Sequence, residues 1–213
     1  MVTMAKKSTG AKKAAGSKKV AGSKKAADAN TVRAALSTAL GDQSLVRITR
    51  SIRGSERLDG FVVGLGTTWV LLANLDLTWI SLDGFVAVRT ADVTKVERRG
   101  GPDSFPVQAL VLEKQWPPSA PDDIDLDHVD GFLHAVAPLF RLLSVWNEED
   151  HPDELLVGAG RVITSRSISL LLISSDATWW EAPIKLPLAN LSRIDMGTRY
   201  NAALLAVGGP PPP

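Results

Sequence analysis

The sequence predicts a mainly β (α+β) fold in which one small five-stranded unit is written twice, with short helices beside each copy. The first observation behind this is an internal repeat. Residues 60–79 read GFVVGLGTTWVLLANLDLTW and residues 160–179 read GRVITSRSISLLLISSDATW. Seven of the twenty ungapped positions are identical: Gly60/Gly160, Val62/Val162, Leu71/Leu171, Leu72/Leu172, Asp76/Asp176, Thr78/Thr178 and Trp79/Trp179. A second match, residues 91–97 with 189–195, lies at an offset of 98 and carries the repeat further along the chain. The second observation is a succession of short β-branched and apolar runs separated by turn residues. The third is charge. Residues 1–30 carry eight Lys and one Asp, whereas the rest carries 16 basic and 22 acidic residues. A basic arm therefore precedes an acidic body.

Residues 1–29 form the arm. Lysine pairs recur every six residues: Lys6 and Lys7, Lys12 and Lys13, Lys18 and Lys19, Lys24 and Lys25. Ala, Gly and Ser between them bury too little apolar surface to offset ordering entropy, so disorder is expected. The first unit is expected over 30–116. Asn30 is the expected N-cap of a helix over 31–40, with Val32, Ala35, Leu36, Ala39 and Leu40 on its apolar stripe and Gly41 as its stop. Strands follow at 44–52, 58–65, 69–75, 85–89 and 93–98. Asp83-Gly84 is read as the tight turn ahead of the fourth. Ser104 caps a helix with Pro106 in its first turn and an expected apolar stripe of Phe105, Ala109, Leu110 and Leu112.

A Pro- and Asp-rich linker spans 117–125 and the second unit 126–207. Helical spacing runs over 126–137, with Pro138 expected to end it. Strands are expected at 140–147, 155–164, 168–175 and 184–188, then a last helix at 198–207. Residues 208–213 are a proline tail.

The totals bound the function. The chain of 213 residues has no Cys, which removes disulfides and thiolate metal sites and fits a reducing, cytoplasmic setting. The run 61–82 holds one charge, Asp76, but its Gly, Thr, Ser and Asn content reads as strands and turns rather than a membrane span.

A short helix, then five bent strands with the fourth and fifth short, resembles the Sm-like (SH3-like) small barrel. The chain over 31–209 also resembles an uncharacterised bacterial family with two tandem barrels of this kind. The resemblance rests on Trp116-Pro117-Pro118 before the linker and on the run Leu191-Ser192-Arg193-Ile194-Asp195 through Leu204. With the lysine-rich, histone-tail-like arm in front, it implies two tandem Sm-like five-stranded barrels and no assigned activity. Sm proteins bind RNA through an Asn after an Asp and through a basic pair. Asp76-Leu77-Thr78-Trp79 lacks that Asn, and Arg89-Thr90 and Pro187-Leu188 replace the pair, so the RNA pocket is not carried over. Each barrel has an edge to hide, and the expectation is that the two edges meet in a pseudo-two-fold arrangement.

The candidate chemistry is sparse. Asp76 and Asp176, each two residues before a Thr, read as turn carboxylates rather than an aspartic dyad. His128 and His134 are too far apart on a helix to share a metal, and acids just ahead of a helix complement its dipole. Gly64-x-Gly66 is too short for a dinucleotide loop. Trp79 and Trp179 are expected to plug or cover the barrels. Adjacent Trp179 and Trp180 point to opposite faces, which makes Trp180 a candidate contact residue, with Arg166 in the turn that departs from the first copy. The sequence thus predicts a non-enzymatic binding protein with no cofactor and no metal. Its arm lysines would contact DNA or RNA without sequence preference, anionic lipid being the weaker partner for them. The alternative is a protein–protein adaptor using barrel edges and Trp180, the arm being a solubilising tail.

Overall fold

The computed structural model describes residues 28–213; the eight arm lysines lie outside the described residues. The first repeat comprises helix α1 (Ala29–Asp42), strands β1 (Leu45–Arg50), β2 (Leu58–Leu65), β3 (Trp69–Asp76), β4 (Ser81–Arg89) and β5 (Val93–Gly100), and helix α2 (Phe105–Leu112). The second comprises α3 (Val129–Phe140), β6 (Leu143–Trp146), β7 (Leu155–Ile163), β8 (Ser167–Leu172), β9 (Ile184–Pro187), β10 (Arg193–Met196) and α4 (Arg199–Gly208). In each repeat a 3-10 turn joins the fourth strand to the fifth, Thr90–Asp92 and Leu188–Asn190.

The ten strands form one antiparallel sheet in the order β5-β1-β2-β3-β4-β10-β6-β7-β8-β9. Two closed barrels are not what the described residues form: the sheet is open, ending at β5 and β9. The strand order within each half is the same, and the halves join through unlike edges. The fourth strand of one repeat meets the fifth of the other, with Val88, Ala87, Val86 and Phe85 opposite Arg193, Ile194, Asp195 and Met196. A pseudo-two-fold pairing would join like edges, so that expectation is corrected to a head-to-tail seam.

The repeat register is corrected too. Gly60 pairs with Asn74 and Gly158 with Leu172, so the equivalent of Gly60 is Gly158, not Gly160. Both strands bulge at the same place, at Val63 and at Arg161. A Cβ on Gly60 would lie 2.4 Å from the Ala73 carbonyl oxygen, and one on Gly158 would lie 2.6 Å from that of Leu171. The offset is therefore 98 through the second to fifth strands. A two-residue error preserves the in–out alternation of a strand, which is why the offset of 100 reads well in sequence.

Local chemistry moves several boundaries. Asp28, not Asn30, caps α1, accepting from the Asn30 N–H at 2.6 Å, and Gln43 in the left-handed region ends it rather than Gly41. Gly84 has φ +67° but sits inside β4, where a Cβ would meet the Met196 carbonyl oxygen across the seam at 2.2 Å. The turn expected there is instead at 77–80. Pro138 lies within α3, close enough to its end that the lost N–H costs one bond in the last turn; Arg141, at φ 55°, breaks the chain away.

The cores cross the seam. Val32, Leu36 and Ala39 of α1 pack on Val46, Ile48, Val62, Val70 and Val88. Phe132, Leu133 and Val136 of α3 pack on Leu143, Val145, Ile168 and Leu170, and this second core also takes in Trp69, Leu71 and Ala87 of the first repeat. Leu126, just after the linker, joins it as well, and its carbonyl accepts from the Trp69 backbone N–H at 2.9 Å.

Candidate functional site

Among the described residues, a cluster of charged side chains lies where the first repeat meets the second. Arg50 closes β1, Glu148 follows β6 and Ser192 precedes β10. The Arg50 guanidinium donates to both Glu148 oxygens, at 2.7 Å from Nη2 to Oε1. Ser192 Oγ donates to Glu148 Oε2 at 2.8 Å. Both charged side chains are almost wholly buried, so this is a desolvated bidentate pair. Beside it, Arg193 Nε donates to Asp195 Oδ1 at 2.7 Å and Nη1 reaches Glu56 Oε2 of the first repeat at 2.9 Å. The Arg193 guanidinium lies 5.2 Å from the centre of the Trp146 ring. Arg89 completes the set, bonded to Asp92 at 2.6 Å and to Glu149 of the second repeat at 2.5 Å.

Two adjoining clefts open on this cluster. One of about 400 Å³ is lined by Ser51, Ile52, Arg53, Glu148, Glu149 and Pro152. A smaller one of about 110 Å³ adds Glu56, Trp146 and Arg193. Burial works to raise the Glu148 carboxyl, but the bonds from Arg50 and Ser192 outweigh it and hold the group below its ordinary range. At Asp195 burial wins and pushes the carboxyl up, against the opposing pull of Arg193. A carboxylate clamped between a guanidinium and a hydroxyl stays ionised and fixed. The arrangement suits the locking of strands across the seam.

The sequence-predicted site residues are not brought together here. Trp180 is 50% exposed, and its backbone N–H donates to the Leu172 carbonyl at the end of β8. Arg166 is exposed just ahead of the start of β8, where its carbonyl accepts from Leu188. The two therefore sit at opposite ends of one strand. Trp179 does turn inward, packing with Ile173 and Leu204 and donating from Nε1 to the Gly208 carbonyl at 3.1 Å. Trp79 does not plug anything: it is 72% exposed.

Asp76 is a turn carboxylate, accepting from the Thr78 N–H at 2.8 Å. Its equivalent at offset 98 is Ser174, whose hydroxyl accepts from the Thr178 N–H at 3.1 Å; Asp176 bonds that same hydroxyl. His128 rests against Asp125, which also accepts from the Asp127 and His128 N–H groups.

Sequence reasoning missed two features. The Arg50–Glu148 pair joins residues 98 positions apart on different repeats, and only the head-to-tail seam makes them neighbours. The other is an apolar patch. Trp79, Phe105 and Leu112 are 72%, 71% and 82% exposed and line a groove of about 380 Å³ with Ile80 and Ala109. The stretch FPVQALVL of α2 is apolar apart from Gln108, a composition that normally marks a buried helix. Yet Val107 and Leu110 face the core, which corrects the expected stripe: Leu110 is on it, while Phe105 and Leu112 point to solvent.

No protein-family model, curated protein or solved structure matches this chain.

Proposed function

We propose that the protein is a non-enzymatic binding protein whose lysine arm contacts nucleic acid. The observation that carries this is the separation of charge: eight Lys against one Asp in residues 1–30, ahead of a body with a net acidic count. Paired lysines at a six-residue spacing can follow phosphates, releasing counterions, with no reading of bases. The shared strand order of the two halves and the helix ahead of each first strand support taking each half as an Sm-like unit. The body would then be a rigid carrier for the arm.

A second reading is a protein-interaction adaptor, favoured by the Trp79, Phe105 and Leu112 patch. Isolated exposed apolar side chains are ordinary, but a contiguous patch with an aromatic centre marks contact surfaces.

A salt titration of binding to duplex DNA and to single-stranded RNA tests the first reading, using the full chain and a 31–213 truncation. If all eight lysines engage, log affinity for duplex DNA falls against log salt with a slope of about −7, and the truncation loses the binding. Unchanged affinity on truncation would sink the arm's role. The adaptor reading instead expects a protein partner retained by the truncation and lost on Leu112→Glu.

A further inference from the structure

We propose that the outer edge of β5 receives an extended acidic strand from a partner protein. This deepens the adaptor reading and rests on it. β10 pairs with β6 on one side and with β4 on the other, over Arg193–Met196. Its repeat equivalent is the stretch Lys95, Val96, Glu97 and Arg98 of β5. That stretch pairs with β1 through Thr49, Ile48, Arg47 and Val46, and its other side ends the sheet. Irregularities in the β1–β5 pairing bracket this stretch on both sides, so a regular run of the same length as β10 is presented outward. The molecule thus contains a worked example of what the β5 edge can hold: one antiparallel strand laid as β4 lies on β10.

Backbone direction follows from the alternation along a strand. The Thr90 N–H donates to the Thr68 carbonyl at the start of β3, so the N–H groups of Arg89 and Ala87 face β10. In the opposing ladder Ile194 and Met196 face β4, and their equivalents in β5, Val96 and Arg98, face outward. A second copy of this chain cannot supply the strand in the same way. The free edge that corresponds to β4 is β9, and Leu188 donates there to the Arg166 carbonyl, so Pro187 faces outward where Arg89 has its N–H. Pro183 stands just ahead of the same strand, at the position of Phe85. Proline removes the donor that edge pairing needs. One outer edge is therefore closed to addition and the other is not.

Charge selects the guest. Lys95, Arg98 and Arg99 are exposed along β5. Lys95 bonds Glu97 on its own strand at 2.5 Å, and Arg98 reaches Asp42 at 3.3 Å. Opposite charges directly across a ladder stabilise it and like charges oppose it. A strand laid as β4 is on β10 places its first and fourth residues opposite Arg98 and Lys95. Acidic residues at those two positions, with small apolar ones between, complement the edge. The main-chain bonds supply affinity and the two acids supply choice.

The test uses the full chain and a synthetic peptide with a Glu-Val-Ala-Glu core, against a matched peptide with Lys in place of Glu. Titration is followed by amide hydrogen exchange. The acidic peptide is expected to bind and to slow exchange at Val96 and Arg98, leaving Lys185 of β9 unchanged. Charge reversal at both positions, Lys95→Glu with Arg98→Glu, is expected to weaken it roughly tenfold. Val96→Pro, which removes an outward donor, is expected to abolish protection, and the charge-reversed variant keeps the test decisive if the proline variant misfolds. No binding, equal binding of the lysine peptide, or protection elsewhere than β5 would overturn the proposal. So would concentration-dependent protection of Val96 without any peptide, which would make the guest a second copy. A partner that is still retained through Leu112 while β5 takes no peptide would defeat the edge proposal and leave the adaptor reading standing.

Discussion

Arg50→Ala is expected to destabilise the protein by about 3–5 kcal/mol, the cost of leaving a buried charge without its partner. Glu148 keeps only the Ser192 hydroxyl once the guanidinium is gone. Urea unfolding of the single variants and of the Arg50→Met/Glu148→Leu pair measures this. The double variant is expected to recover much of the loss, because an apolar pair of similar volume removes the desolvation cost on both sides. The pair should also leave a signature in acid. Glu148 titrates below its ordinary range in the folded state. Its contribution is therefore complete above the unfolded carboxyl value of about 4.3 and is lost as pH falls through the lower folded value. Asp195 works in the opposite sense: its raised value favours the fold below the unfolded carboxyl value, and that contribution is lost as pH rises through the folded one. The stability gap between the native chain and Glu148→Gln should accordingly be widest near neutrality and close below about pH 4. A gap that does not change with pH would contradict the role given to Glu148.

Trp69→Ala should cost about 3–5 kcal/mol, the range for a large aromatic removed from a core. Trp69 belongs to the first repeat, but its ring stacks on Phe132 of α3, at 6.3 Å between centres and 15° between planes. It is 2% exposed. The informative result is the coupling. Phe132→Ala alone should cost a comparable amount, and a double-mutant cycle should give a non-zero interaction, as for side chains in contact. Two repeats with private cores would give additive losses instead. Trp116 offers a control, since it packs on Phe61 at 5.0 Å within the first repeat.

Much of this fold is legible in the sequence. The alternation that marks the strands is local, whereas helix ends shifted by a few residues: Asp28 replaces Asn30 at the start of α1, Gln43 replaces Gly41 at its end, and α3 runs past Pro138. Ser104 stands at the N-cap of α2 as expected, and the last helix lies where 198–207 was expected, with Thr198 as its N-cap rather than its first residue. What was not legible is how the two halves meet. Strand pattern says which face of β4 is buried but not which strand lies beside it, so β4 and β10 could not be paired from sequence. The register error at Gly60 has the same origin: in a period-2 pattern a shift of two residues leaves every side chain on its own face. The seam charges were hidden because Arg50, Glu148 and Arg193 look like ordinary surface residues until the strands that carry them are joined. Trp79 misled for another reason. It was read as the partner of Trp179 by identity, although Asp76 and Ser174 are the equivalent turn residues and the two tryptophans follow them at different distances. The exposed face of α2 contradicts its apolar composition, and such a conflict between composition and burial is expected at a contact surface.

Strands β4 and β10 make the two repeats a single sheet. Amide hydrogen exchange of Ala87 and Ile194 in the full chain tests it most directly, because these residues face one another across the seam. Both should exchange only with global unfolding, as slowly as Val70 in the interior of the sheet, while Val96 on the outer edge exchanges far faster. Exchange of Ala87 and Ile194 at the rate of Val96 would contradict it, leaving two repeats that share a chain but not a sheet.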